Sequence, residues 1–85
     1  MTNHPNRNRR YTLPNSKRVA QRHTYDNGLV EIYVVGTDGV RACITRQEPG
    51  MAWCLYVNGR LVVRSFTLGF MLRQLDMALT EEEHR

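Results

Sequence analysis

Apolar and polar residues alternate along the middle of the chain in short runs separated by turn-forming segments. Three Asn-Gly or Asp-Gly dipeptides and the segment 47–50 stand between these runs. Successive residues of a strand point to opposite sides of a sheet, so this alternation predicts half-buried strands. Tight connections make consecutive strands antiparallel neighbours. The predicted strands are 18–25, 29–35, 40–46, 51–57 and 60–66.

Strand alternation assigns one side of this sheet an apolar set of side chains. The set consists of Val30, Ile32, Val34, Val40, Ala42, Ile44, Met51, Trp53, Leu55, Leu61 and Val63. Burial of this set decides the expected lengths of the turns. Three-residue loops at 57–59 and 37–39 keep the apolar residues together and place Leu55 opposite Leu61. At the first hairpin, a two-residue turn at 27–28 is expected to place Tyr25 beside Val30.

The last segment changes from strand periodicity to helix periodicity. Apolar residues recur at helical spacing at Leu68, Met71, Leu72, Leu75, Ala78 and Leu79. Ser65 or Thr67 can cap the start of the helix, and fraying is expected after Thr80. The predicted fold is therefore α+β: an antiparallel β-meander of four to five strands with one C-terminal helix packed on its apolar face.

The first sixteen residues are rich in Asn, Arg and Pro and contain little that could be buried. Such a segment cannot offset the entropy lost on ordering. The chain is therefore predicted to have a disordered basic arm over residues 1–16 and one domain over residues 17–85. Its 85 residues leave room for one modest core.

Charge is distributed unevenly along the chain. The net charge is +4, but residues 1–23 contain six basic residues and no acidic one. The remaining chain contains six basic and eight acidic residues. A basic arm suggests an acidic partner, most commonly nucleic acid. The alternative is a solvated tail that keeps the protein in solution.

The sheet surface opposite the predicted helix, here called the open face, has both basic and aromatic residues. Arginines there could contact phosphate, and tyrosines could stack on bases. An interface with a protein partner or a second copy, and a plain solvent-facing surface, remain alternatives. With the basic residues of the arm, the candidate binding residues are Arg7, Arg9, Arg10, Lys17, Arg18, Tyr33, Arg41, Tyr56, Arg60 and Arg64.

The two cysteines, Cys43 and Cys54, lie in predicted strands and would be directly opposite each other across a four-residue loop. Two cysteines without CxxC spacing favour free thiols and a reducing, cytoplasmic location. Zinc would need two further ligands, and His23 is the single histidine outside the terminal tails, where His4 and His84 lie. We therefore expect neither metal nor cofactor.

No catalytic pattern is present: there is no Gly-rich phosphate loop and no nucleophile at a recognisable spacing from a histidine and a carboxylate. No apolar run is long enough to cross a membrane. The favoured hypothesis is a small, non-enzymatic, nucleic-acid-associated regulatory protein. The alternative is a protein-interaction module, a small inhibitor or adaptor of the bacterial or phage accessory type, that docks by the open face or an edge strand.

Overall fold

A computed structural model describes residues 8–34 and 41–83. Within these residues the chain forms six strands followed by one helix, with strand order equal to chain order and every neighbouring pair antiparallel. The helix packs on β4, β5 and β6. This confirms the α+β class and the meander, with six strands rather than four to five. The elements are β1 Asn8–Thr12, β2 Val19–Thr24, β3 Val30–Val34, β4 Ala42–Arg46, β5 Trp53–Val57, β6 Arg60–Ser65 and α1 Leu68–Glu83.

The additional strand, β1, lies within the segment that was expected to be disordered. It pairs with β2 and places Tyr11 opposite Ala20. The following turn is closed by a hydrogen bond from the Leu13 amide to the Arg18 carbonyl at 2.9 Å. Leu13 is 2% exposed, so this segment does have a buried anchor. The boundary therefore differs from the prediction, because residues 8–16 form strand and turn; residues 1–7 lie outside the described part.

The core lies between the sheet and α1, on the predicted apolar face. Met51 and Leu61, which were expected there, are half exposed instead, and Val40 lies outside the described residues. The buried apolar residues are Leu13, Ala20, Val30, Ile32, Ala42, Ile44, Trp53, Leu55, Met71, Leu75 and Leu79.

The β5–β6 connection is a two-residue turn, so the prediction of a three-residue loop is wrong. Asn58 and Gly59 adopt φ of 51° and 82°, and Val57 pairs with Arg60. A register shift in β6 then leaves Val62 as the extra residue of a β-bulge. The bulge brings Val63 opposite Leu55. Burial of both residues is thus achieved by an irregularity within the strand and not by a longer loop.

At the β2–β3 connection, the prediction of a two-residue turn is wrong because the loop is one residue longer. Thr24 pairs with Val30, and the Tyr25 amide donates to the Leu29 carbonyl at 2.8 Å. The loop therefore contains three residues, and Tyr25 lies opposite Leu29 and not beside Val30. This register sets Ala20 opposite Val34, on the buried face. The β3–β4 loop at 37–39 lies outside the described residues.

Helix α1 begins after Thr67, whose carbonyl accepts the first helical hydrogen bond from the Met71 amide at 3.2 Å. The Ser65 hydroxyl accepts from the Thr67 amide at 3.1 Å and fixes the entry to the helix. The helix continues past Thr80, where fraying was expected, to Glu83. Within residues 8–34 and 41–83, no helix has the length and apolar character needed to cross a membrane.

Candidate nucleic-acid interface

The open face has a row of side chains that runs across five strands. Residues directly opposite each other in a sheet share a face, and the register aligns Arg10, Gln21, Tyr33, Cys43 and Tyr56. We call these five residues the central row. Tyr33 and Tyr56 are 41% and 37% exposed. They stand two strands apart, which separates their backbones by about 10 Å.

A second row on the same face contains Glu31, Thr45, Cys54 and Arg64. Thr45, Cys54, Tyr56 and Arg64 line a depression of about 210 Å³ on this surface. Glu31 accepts a hydrogen bond from the Tyr25 hydroxyl at 2.6 Å. That hydrogen bond is the main reason why the pKa of Tyr25 lies above its ordinary value. The Glu31 carboxylate is thus hydrogen-bonded to Tyr25, whereas the Arg64 side chain is exposed.

The two cysteines are not opposite each other, contrary to the prediction. Cys43 pairs with Tyr56 and Cys54 pairs with Thr45, because residues 47–52 separate β4 from β5 and the loop is two residues longer than expected. Both are free thiols. Burial, together with the negative charge of Glu31, raises the pKa of the Cys43 thiol. Cys43 is therefore protonated at neutral pH and is a poor nucleophile.

The structure brings some of the predicted basic residues to the open face and places others elsewhere. Arg10 lies in the central row on β1, and Arg64 lies in the second row on β6. Arg41 is exposed immediately before the start of β4, where its amide donates to Asn58 Oδ1 at 3.1 Å. By strand alternation it is on the side of Cys43. These three arginines, with Tyr33 and Tyr56, form the candidate interface.

The other candidate residues do not share this surface. Arg9 lies opposite Arg22, and Arg60 lies opposite Val57, which packs against the core. Both are therefore on the helix side of the sheet; the two-residue turn moved Arg60 away from its predicted face. Lys17 and Arg18 belong to the β1–β2 connection. Arg7 lies outside the described residues.

Sequence analysis missed a cationic cluster on the helix side of the sheet. The Cζ atoms of Arg46 and Arg22 lie 4.1 Å and 5.7 Å from the ring centroid of Trp53. Both guanidinium groups are thus in cation–π range of one indole. The signal was available, because strand alternation places Arg22 with Ala20, and Arg46 with Ile44, on the buried side. The set of side chains predicted for that side contained apolar residues only, so it did not include the two arginines.

A buried carboxylate on α1 was missed as well. Asp76 is 2% exposed, and its two oxygens accept hydrogen bonds from the backbone amides of Asn15, at 2.9 Å, and Ser16, at 2.8 Å. Burial alone would raise the pKa of Asp76, but these donors outweigh it and hold the pKa below its ordinary value. This contact joins the β1–β2 turn to the helix, which gives it a structural role.

No group of three or more His, Cys, Asp or Glu side chains suited to a metal ion occurs in the part of the chain that the structure describes. Comparison of the chain with protein-family models, with curated proteins and with solved structures finds no match.

Proposed function

We propose that this protein binds single-stranded nucleic acid through its open face, as a small non-enzymatic regulatory factor. Tyr33 and Tyr56 stack on bases, and Arg10, Arg41 and Arg64 contact phosphates. One observation supports this most directly: two exposed tyrosines share the central row of the open face. Arg10 lies in the same row and Arg64 in the second row. Sheet surfaces with exposed aromatic rings are a common platform for single strands.

The chemistry of the face favours a single strand over a duplex. Stacking on a tyrosine requires a base that is not already stacked in a helix. Arg10 and Arg64 are both exposed, so a phosphate can reach either side chain. The one carboxylate of the second row, Glu31, is hydrogen-bonded to Tyr25. A protonated Cys43 in the middle of the row fits a binding role better than a catalytic one.

The proposal is tested by fluorescence anisotropy with labelled single-stranded DNA, single-stranded RNA and duplex DNA at two salt concentrations. Each stacked base contributes roughly 1–3 kcal/mol, so Tyr33→Ala and Tyr56→Ala should each weaken single-strand binding by about fivefold or more. Tyr56→Phe keeps the ring and should bind like the parent. Duplex binding should change little in all three variants.

The arginines are tested by the salt dependence of the same titration. Each phosphate contact contributes about 0.7 to the slope of log affinity against log salt on a single strand. Arg64→Ala should therefore reduce the slope by about 0.7. Arg73→Ala, which removes an exposed arginine from α1, is the matched control and should leave the slope unchanged. Absence of salt-sensitive binding at micromolar protein would refute the proposal.

A second candidate function rests on the edge of the sheet at β6. Val62 is 56% exposed and Leu61 is 50% exposed, and among the described strands β6 has one neighbour, β5. An apolar edge strand is suited to pairing with an extended segment of a protein partner. This function predicts that Val62→Lys abolishes capture of the partner, while Tyr56→Ala has no effect.

A further inference from the structure

The helix side of the sheet contains a pair of arginines that share one aromatic neighbour. Arg22 is on β2, opposite Ile32, and Arg46 is on β4, opposite Val30. Trp53 on β5 is 4% exposed and lies within cation–π range of both guanidinium groups. The two Cζ atoms are consequently less than about 10 Å apart. Two like charges are thus held near each other beside a buried ring.

The hydrogen bonding of this pair is incomplete. The Nε atoms of Arg22 and Arg46 are buried and have no hydrogen-bond partner. Buried N–H groups in folded proteins nearly always have one. Arg22 donates from Nη1 to the Tyr11 hydroxyl at 3.3 Å, and this acceptor is neutral.

Further positive potential comes from the surroundings. Arg9 lies directly opposite Arg22 and adds a third cation to the same side of the sheet. Trp53 lies opposite Ser65, three residues before the start of α1, and the first turn of α1 contains no acidic residue. The positive end of the helix dipole therefore adds to the field at this end of the sheet. The arrangement therefore has a positive potential, which favours binding of an anion.

We propose that Arg22 and Arg46 form a binding site for a phosphate group, with Trp53 as the surface on which both guanidinium groups are positioned. A guanidinium presents N–H donors in a planar fork that matches phosphate oxygens. The tetrahedral phosphate has enough oxygens to accept from both arginines at once, whereas a carboxylate has two. This site is on the opposite side of the sheet from the central row and does not depend on the proposed function.

Phosphate binding is tested on the unmodified protein with two reporters. Trp53 is the single tryptophan of the chain, so its fluorescence reports on this site alone. The Nε–H resonances of Arg22 and Arg46 in NMR spectra report on the unpartnered groups themselves. Titration with inorganic phosphate, against sodium chloride at matched ionic strength, should give saturable changes in both signals. Acetate should act at least about tenfold more weakly. No saturable change at tens of millimolar phosphate overturns the proposal.

Variants then locate the site. Arg46→Gln should weaken phosphate binding by at least about tenfold, as expected for loss of a charge-assisted hydrogen bond. Arg73→Gln, which changes an exposed arginine on α1, is the matched control and should bind within about twofold of the parent. An equal loss in both variants would show non-specific charge attraction and overturn the proposal. If Arg46→Gln does not fold, the titration of the unmodified protein still decides.

The source of the phosphate group is separated by two further probes. Glycerol phosphate represents a small phosphomonoester, and an abasic oligonucleotide represents the backbone of nucleic acid without bases. Whichever probe shifts the Nε–H resonances at the lower concentration identifies the source; a response to neither overturns the site. The Tyr33→Ala/Tyr56→Ala double variant should retain full phosphate binding. Failure of the open face and failure of this site are therefore distinguishable.

Discussion

Removal of the Asp76 carboxylate should break the hydrogen bonds that connect the β1–β2 turn to helix α1. Asp76 accepts backbone hydrogen bonds from Asn15 and Ser16, which precede it by about sixty residues. Hydrogen bonds to a charged group contribute roughly 1.5–3 kcal/mol each, and a buried N–H without a partner is costly. Asp76→Ala should therefore lower the free energy of unfolding by about 2–5 kcal/mol. That is a large fraction of the stability of a domain of this size.

The dependence of this effect on pH identifies the charge as its cause. Because the pKa of Asp76 is lower in the folded than in the unfolded chain, its stabilising contribution is complete above the unfolded value of about 3.9. The contribution is lost as pH falls through the folded pKa. Asp76→Asn keeps one acceptor and should cost about 1–3 kcal/mol at pH 7. The difference from the parent should shrink below about pH 4.

Urea unfolding followed by circular dichroism at pH 7, 5 and 3 measures these differences. Glu81→Gln changes an exposed carboxylate on the same helix and should stay within about 0.5 kcal/mol of the parent. If Asp76→Ala unfolds at nearly the same urea concentration as the parent, the contact contributes little. If the Asp76→Asn difference is equally large at pH 3, the carboxylate charge is not its source.

Four further predictions concern the core, the β5–β6 turn, helix α1 and the thiols. Trp53→Ala should cost about 3–5 kcal/mol in denaturant unfolding, and a melting temperature within a few degrees of the parent would contradict its place in the core. Gly59→Ala forces a positive φ on a residue with a Cβ and should cost about 1–2 kcal/mol in the same assay. Gly69 is an exposed position of α1 with open space around it, so Gly69→Ala should instead stabilise the protein by about 0.5–1 kcal/mol. A loss of stability would refute this. A thiol assay should count two free thiols after denaturation, with Cys43 slower than free cysteine in the folded protein at pH 7; zero thiols, or an equally fast Cys43, would contradict the structure.

Strand alternation was sufficient to predict the meander, the helix and most of the core, because burial of one face is a property of each strand separately. Turn lengths were not predictable in the same way. Asn27-Gly28 belongs to a three-residue loop, whereas Asn58-Gly59 forms a two-residue turn. The same dipeptide is compatible with both. The choice depends on packing across the sheet, and a bulge at Val62 can correct a register that the turn alone would set wrongly.

The side of the sheet that contains the candidate site was predictable, but the relative positions of its residues were not. The sequence placed Tyr33 and Tyr56 on the open face, whereas their alignment with Cys43 required the true length of the loop between β4 and β5. β1 was missed because its apolar content is small, although it pairs with β2, the next strand along the chain. Asp76 resembles any polar residue of an amphipathic helix until the β1–β2 turn is placed beside it.

The order of the strands has a consequence for folding kinetics. Every strand pairs with its neighbour in sequence, so each ladder closes over a short loop, and such local topologies fold rapidly. The contact between the β1–β2 turn and α1 is the exception, since it closes a loop of about sixty residues. A loop of that length has a larger closure entropy than the hairpins, so we expect it to close after they have formed. Loss of this contact should therefore accelerate unfolding and leave the rate of folding nearly unchanged.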